Sequence, residues 1–125
     1  MKPIETANAP RPAGHYAQAM VHAGLVHVAG QLPLDPETGE VVGSDIETQT
    51  ERTLRNVEAI LARAGTDLQH LLSVTVYVTD RSLWGGFNTV FARLLGDHRP
   101  ARAVVPVPEL RHGCLVEIQA VAAVP

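Results

Sequence analysis

The stretch CLVEIQAVA, residues 114–122, decides the fold because it alternates strictly between two kinds of side chain. Val116, Ile118 and Ala120 share one side of an extended chain, and Glu117 and Gln119 share the other. This period of two predicts a half-buried β-strand over residues 114–123. A carboxylate at the centre of its second face is the feature that the rest of the sequence has to explain.

A second strand and two helices flank this stretch on its N-terminal side. Residues 71–79 alternate valines with Ser, Thr and Tyr, which predicts a strand with one buried face. Apolar residues at helical spacing predict a first helix that Ser44 and Glu47 begin as a capping box and Gly65 ends. A second helix, capped by Asp80 or Ser82, should run to Gly96.

Shorter strands complete the order β-β-α-β-α-β-β. We expect them at residues 16–22, 25–30 and 101–107, after an irregular segment at residues 1–14. Pro106 assigns the strand at 101–107 to a sheet edge or a bulge. The predicted fold class is α+β: a single domain over residues 1–125 with both helices on one face of a mixed sheet.

Composition excludes several classes of function. The net charge is −3 with no basic cluster, which argues against nucleic acid as a partner. The six histidines and single cysteine lack metal-ligand spacing, and Lys2 is the only lysine, so we expect neither a metal nor a Schiff-base cofactor. The sequence shows no secretory leader and no apolar run long enough for a membrane span, which predicts a cytoplasmic protein without membrane contact.

The uncovered face of the sheet should carry the chemistry. If strands 101–107 and 114–123 pair, Arg102 and Val104 fall on the same side as Glu117 and Gln119. A tight oligomer would bury this mixed face and form clefts between its subunits. The arginine and the glutamate would then form either a functional pair or a salt bridge that only holds two subunits together.

Five short motifs, in order along the whole chain, resemble the signature of the RidA/YjgF family. They are GHYAQ at residues 14–18, AGQLP at 29–33 with the following DPETGE loop, FNT at 87–89, PAR at 100–102 and VEI at 116–118. The resemblance implies a chorismate-mutase-like fold assembled as a homotrimer, with active sites in the clefts between subunits. It also implies cofactor-free hydrolysis of reactive enamines and imines to 2-oxo acids and ammonia.

The family match suggests a role for each site residue. Arg102 matches the arginine that grips the substrate carboxylate, and guanidinium suits this task because it donates two parallel hydrogen bonds. Glu117 matches the acid that handles the water, and Tyr16, Gly30 and Asn88 match other residues of the pocket. For a small 2-imino acid, Glu117 would accept a proton from water and return one to the departing amine. We expect burial to raise the pKa of Glu117 and Arg102 to lower it.

Two positions depart from the family pattern. His15 replaces a proline before Tyr16, and Val104 stands where the family often has a reactive cysteine. If that position acts through its backbone N–H, Val104 still supplies the donor to the substrate. Two alternative functions remain open: a non-catalytic trimer that binds 2-oxo acids and regulates a partner, and an endoribonuclease-like activity.

Overall fold

A computed structural model describes residues 1–125, and it has two helices on one face of a six-stranded mixed sheet. The sheet order is β1-β2-β3-β6-β4-β5; only β4 and β5 are parallel, and the other neighbours are antiparallel. The elements are β1 Lys2–Ile4, β2 Ala19–His22, β3 Leu25–Gln31, α1 Ile46–Arg63, β4 Leu71–Val78, α2 Trp84–Leu95, β5 Ala101–Pro106 and β6 Val116–Ala123.

One hydrophobic core of 22 buried residues lies between the helices and the sheet. The inward face of β6 is almost fully buried, as its alternation predicted, and it is flanked by the valines of β4 and β3. Helix α1 packs on β3 and β6, and α2 packs against α1. Because both helices cover the same face, the other face of the sheet has no helix over it. The core residues of the three central strands are Val26, Val28, Val74, Val76, Val78, Val116, Ile118, Ala120 and Ala122.

The N-terminal strand β1 was not predicted, because its three residues are too few to show a period of two. Gln18 explains why the segment after β1 is ordered. Its buried side-chain amide donates to the carbonyls of Thr6 and Pro10 at 3.0 and 2.9 Å, and its carbonyl oxygen accepts the N–H of Thr6 at 2.7 Å. This one side chain therefore fixes residues 6–10 against the start of β2.

Helix α1 begins one residue later than predicted. Asp45, and not Ser44, is the N-cap: its Oδ2 accepts the N–H of Thr48 at 2.9 Å. Asp and Ser are similar N-cap residues, so the S-x-x-E pattern alone could not choose between the two neighbours. Gly65 follows the end of the helix with a φ of +87°, as expected for a left-handed terminator.

The start of α2 explains why position 86 is a glycine. Asp80 accepts the N–H of Ser82 at 2.8 Å and caps a short 3₁₀ turn that leads into the helix. A Cβ on Gly86 would lie 2.6 Å from Cγ2 of Ile46. Gly86 therefore allows the first turns of the two helices to approach closely.

The expected pairing of β5 with β6 is wrong, because β4 lies between them. Arg102 is aligned with Val74, on the helix-covered face of β4, and Glu117 is aligned with Tyr77, on the open face. Side chains at odd and even positions of a strand point to opposite faces of the sheet, so Val74 and Tyr77 lie on different faces. Arg102 and Glu117 of one chain therefore face opposite surfaces, whereas Pro106 does lie on an edge strand, as predicted.

The cap assignment can be tested by a matched pair of substitutions. Asp45→Ala should lower the free energy of unfolding by about 1 kcal/mol, because the N–H of Thr48 loses its acceptor. Ser44→Ala should change it by less than about 0.5 kcal/mol, since no hydrogen bond of α1 depends on that hydroxyl. Urea denaturation followed by circular dichroism measures both. A larger loss in the Ser44 variant would contradict the assignment.

Candidate functional site

Arg102 lies on the helix side of the edge strand β5 and is surrounded by aromatic rings. Its Cζ is 4.9, 5.5 and 5.7 Å from the ring centroids of Phe91, Phe87 and Trp84. These three rings are most of the five aromatic residues in the whole chain. Such contacts contribute roughly 0.5–2 kcal/mol each in cation–π attraction. The rings therefore hold the guanidinium in place.

Asn88 orients this guanidinium. The Nη1 of Arg102 donates to Oδ1 of Asn88 at 2.9 Å, and both side chains are partly buried. No carboxylate oxygen lies within 4.0 Å of Arg102, and burial lowers the pKa of its guanidinium. Both residues line a cavity of about 570 Å³ that also contains Arg99. The structure thus presents an oriented, unpaired cation at the wall of a cavity, which is suited to binding an anion.

Val104 contributes a backbone donor rather than a side chain to this region. Its side chain packs against the core. The N–H of Val107 donates to the carbonyl of Val78, across the only neighbour of β5. Because N–H directions alternate along a strand, the N–H groups of Arg102 and Val104 point away from the sheet, at its free edge. Pro106, which has no N–H, occupies the next position of this outward set.

Glu117 lies on the open face against Gly30. The pairing of β3 with β6 shifts between Val28 and Gln31, so that two residues of β3 oppose Gln119 alone. This bulge directs Gly30 toward the carboxylate, and a Cβ at Gly30 would overlap Oε2 of Glu117. Glycine is therefore required here by space, and the bulge determines where the carboxylate lies.

Burial raises the pKa of Glu117, and no positive charge opposes the effect. The expectation that Arg102 lowers this pKa is wrong within one chain, because the sheet separates the two groups. A carboxylate with a raised pKa and no partner is better suited to accept and return a proton than one held in an ion pair.

Tyr16 lies beside Gly30 and is half exposed. Its hydroxyl oxygen accepts the N–H of Ala13 at 3.3 Å, and the residue exposes 50% of its surface. Tyr16 and Gly30 both line a small cavity of about 50 Å³. His15 is exposed and lines neither cavity described so far.

The predicted site residues thus form two groups on opposite sides of the sheet. We call Asn88, Arg102 and the N–H of Val104 the arginine cluster, and Tyr16, Gly30 and Glu117 the acid cluster. Within one chain the structure brings each cluster together, but it does not bring the two clusters to one place.

Sequence reasoning missed two supports of these clusters. Trp84, Phe87 and Phe91 lie on one face of α2 at spacings of three and four residues, and this spacing is the sequence signal that could have indicated the ring cluster. Gln49, which is buried, accepts the N–H of Leu115 on its Oε1 at 2.8 Å and so fixes the approach to β6 from α1. A long-range side-chain bond of this kind leaves no local pattern in the sequence.

Other chemistry is weakly represented. Cys114 is buried, and its burial, together with the nearby Glu117 carboxylate, raises the pKa of the thiol, which disfavours the reactive thiolate. No three His, Cys, Asp or Glu side chains are grouped so that they could hold a metal ion. Neither helix combines the length and the hydropathy needed to cross a lipid bilayer.

Comparison with known proteins decides the family. The family model described as Endoribonuclease L-PSP matches residues 6–124. The chain belongs to the RidA/YjgF family. A RutC family protein of Pyrococcus horikoshii is 44% identical over 119 residues, which is 95% of this chain and 94% of that protein.

Solved structures of RidA/YjgF proteins agree closely with this fold. RidA from the Antarctic bacterium Psychrobacter sp. PAMC 21119 is 36% identical with a TM-score of 0.95, covering 98% of this chain and 99% of that one. E. coli TdcF, solved with bound serine, is 33% identical with a TM-score of 0.94, covering 98% of both chains. The α+β architecture is therefore that of this family.

The raised pKa of Glu117 predicts how the free energy of unfolding depends on pH. Because burial raises its pKa, the folded protein holds this proton to a higher pH than the unfolded chain does. Stability is therefore lost as the pH rises through the interval between the unfolded and the folded pKa. Glu117→Gln removes the buried charge, so at neutral pH the variant should unfold at a higher urea concentration than the wild type. Below the unfolded pKa the two should coincide.

Glu109→Gln is the matched control, because it makes the same change at an exposed position. It should leave the urea midpoint nearly unchanged at every pH. A Glu117→Gln variant less stable than the wild type at neutral pH would mean that the carboxylate is paired with a cation in the assembled protein. Glu117 would then act as a structural staple between subunits.

Proposed function

We propose that this RidA/YjgF protein hydrolyses reactive 2-enamine and 2-imino acids to 2-oxo acids and ammonia, without a cofactor, as a homotrimer. The observation that carries the proposal is a pair of partly buried, oppositely charged side chains, Arg102 and Glu117, each without an ion-pair partner in its own protomer. Desolvated charges are costly unless a ligand or a neighbouring subunit satisfies them.

The two clusters match the two parts of a 2-imino acid. Arg102 and the free N–H of Val104 suit its carboxylate, and Asn88 keeps the guanidinium fork in one orientation. Glu117 suits the C=N carbon, where a proton acceptor is needed beside a water molecule. The solved TdcF structure holds serine, a small molecule with a similar carboxylate next to a nitrogen-bearing carbon, which supports a ligand of this size.

The reaction needs no oxidant or reductant, and the only chemical task for a side chain is to move protons. Glu117 accepts a proton from water as the water oxygen bonds to the imine carbon, and it passes this proton to the imine nitrogen, which gives a carbinolamine. Glu117 then takes the hydroxyl proton of the carbinolamine as a C=O bond forms, and it gives this proton to the nitrogen as the C–N bond breaks, so that ammonia departs. The raised pKa of Glu117 helps both steps, because it makes the carboxylate a stronger base and keeps the acid form populated nearer neutral pH.

Because the sheet separates the clusters, we propose that each active site combines two protomers. Arg102 lies at the free edge strand β5, and Glu117 lies on the open face, which also carries Tyr77, Val105 and Val121. In a cyclic trimer the edge of one subunit can meet the open face of the next, and three identical clefts result.

Substitution of either charge should abolish most of the turnover. Arg102→Ala should lower kcat/KM by a factor of roughly 30 to 4,000, since about 2–5 kcal/mol of charge pairing with the carboxylate is lost. Glu117→Gln should lower kcat by about 10²- to 10⁴-fold. The assay is ammonia release from freshly generated 2-iminobutanoate. Full activity in either variant would defeat the mechanism.

Mixed trimers test the two-protomer site directly. A random equal mixture of Arg102→Ala and Glu117→Gln chains, refolded together, should recover about a quarter of wild-type activity, because a cleft is intact only when each subunit contributes its unaltered residue. Native mass spectrometry verifies that the trimers are mixed, and each variant refolded alone is the control. Activity that stays at the level of the single variants would place both residues in one protomer and contradict this arrangement.

Binding measurements beside the ammonia assay separate the two alternative functions. Tight binding of 2-oxobutanoate with no ammonia release would favour a regulatory, metabolite-binding trimer. The family model carries the description Endoribonuclease L-PSP, but the net charge of this chain is −3. Ribonuclease activity would require RNA binding that weakens steeply with salt.

A further inference from the structure

A second cationic cleft adjoins the acid cluster. A cavity of about 680 Å³ lies between the N-terminal segment, the loop after β3 and the turn before β6. It continues into the small cavity that Tyr16 and Gly30 line. Six residues line both cavities: Pro10, Arg11, Ala13, Leu34, Arg111 and His112.

The charge of this cleft is opposite to that of the whole chain. Arg11 and Arg111 have no carboxylate oxygen within 4.0 Å, and the cavity contains one acidic side chain, Glu37. The nearby Asp35 is occupied, because it accepts the N–H groups of Glu37 and Thr38 at 2.8 and 3.1 Å. Two unpaired guanidinium groups against one carboxylate, in a chain of net charge −3, leave the cleft positive.

The backbone fixes both arginines at this cleft. The buried Gln18 holds residues 6–10 by three hydrogen bonds of 3.0 Å or less, so that Arg11 follows an anchored segment. On the other side, His112 has a φ of +59° and Gly113 a φ of +70°. A non-glycine residue in the left-handed region costs energy and occurs most often where a site needs a particular backbone path. Here it turns the chain so that Arg111 and His112 both line the cleft.

We infer that Arg11 and Arg111 bind a second anionic group of the substrate, and that the preferred substrates are small 2-imino dicarboxylic acids. The inference rests on the proposed function. With its first carboxylate at the arginine cluster and its C=N carbon at Glu117, a substrate extends its side chain past Gly30 and Tyr16 into this cleft. Guanidinium groups bind a terminal carboxylate through charge-assisted hydrogen bonds. The net reaction converts a 2-imino dicarboxylate and water into a 2-oxo dicarboxylate and ammonia.

A comparison of two product-like acids measures what the second carboxylate contributes to binding. The acids 2-oxoglutarate and 2-oxopentanoate have the same chain length, but the first ends in a carboxylate and the second in a methyl group. Isothermal titration calorimetry should show at least about tenfold tighter binding of 2-oxoglutarate by the wild type. Arg11→Ala combined with Arg111→Ala should remove the preference. Arg55→Ala, which removes the same charge from the outer face of α1, should retain it.

Turnover gives a second readout. The ratio of kcat/KM for 2-iminoglutarate to that for 2-iminopentanoate should fall by about tenfold or more in the double variant. If the double variant does not fold, Arg111→Gln alone is the substitute, because Arg111 is exposed and its replacement should be tolerated. This single variant should lower the same ratio of kcat/KM.

The outcomes distinguish this inference from the function on which it rests. Hydrolysis of both imines with no preference in the wild type, or with a preference that the double variant keeps, would overturn the inference and leave the function standing. A binding preference that the double variant loses, without hydrolysis of either imine, would support the anion site and overturn the proposed hydrolase.

Discussion

The separation of Arg102 from Glu117 by the sheet is the constraint on which the site depends. Both charges are partly withdrawn from water, and neither has an ion-pair partner within the chain. For Arg102 the cost is offset by aromatic rings and by the amide of Asn88, and for Glu117 it appears as a raised pKa. A fold that only needed stability would replace such groups with apolar ones. A ligand that pairs with both charges would remove this cost.

Local backbone irregularities place the acid cluster. A regular β3 would direct side chains alternately, and a residue of any size other than glycine at position 30 would overlap the Glu117 carboxylate. The bulge between Val28 and Gln31 and the glycine within it act together: the first turns the strand, and the second leaves room for the acid. Neither would be needed if this part of the sheet only covered the core.

The elements that could be predicted from the sequence are those whose own period defines them. Strand β6 alternates over eight residues, β4 alternates from Val74 to Val78, and α1 carries its apolar stripe over 18 residues, so their faces follow from local spacing. Which residues of β5 share a face with which residues of β6 could not be predicted, because this depends on the strand that lies between them. Parity correctly grouped Arg102 with Val104, but it could not assign them to the side of the sheet that Glu117 faces.

The direction in which β5 turns its side chains explains why a valine at position 104 is compatible with an anion site. Its side chain faces the core, where a small apolar group packs well, while its N–H points out from the free edge beside Arg102. A chemical role exerted through the backbone survives a change of side chain, with proline as the exception. Pro106 is two positions further along the same edge, so the outward donors of β5 end at Val104. The edge therefore offers its hydrogen bonds next to the one guanidinium that is oriented to share an anion with them.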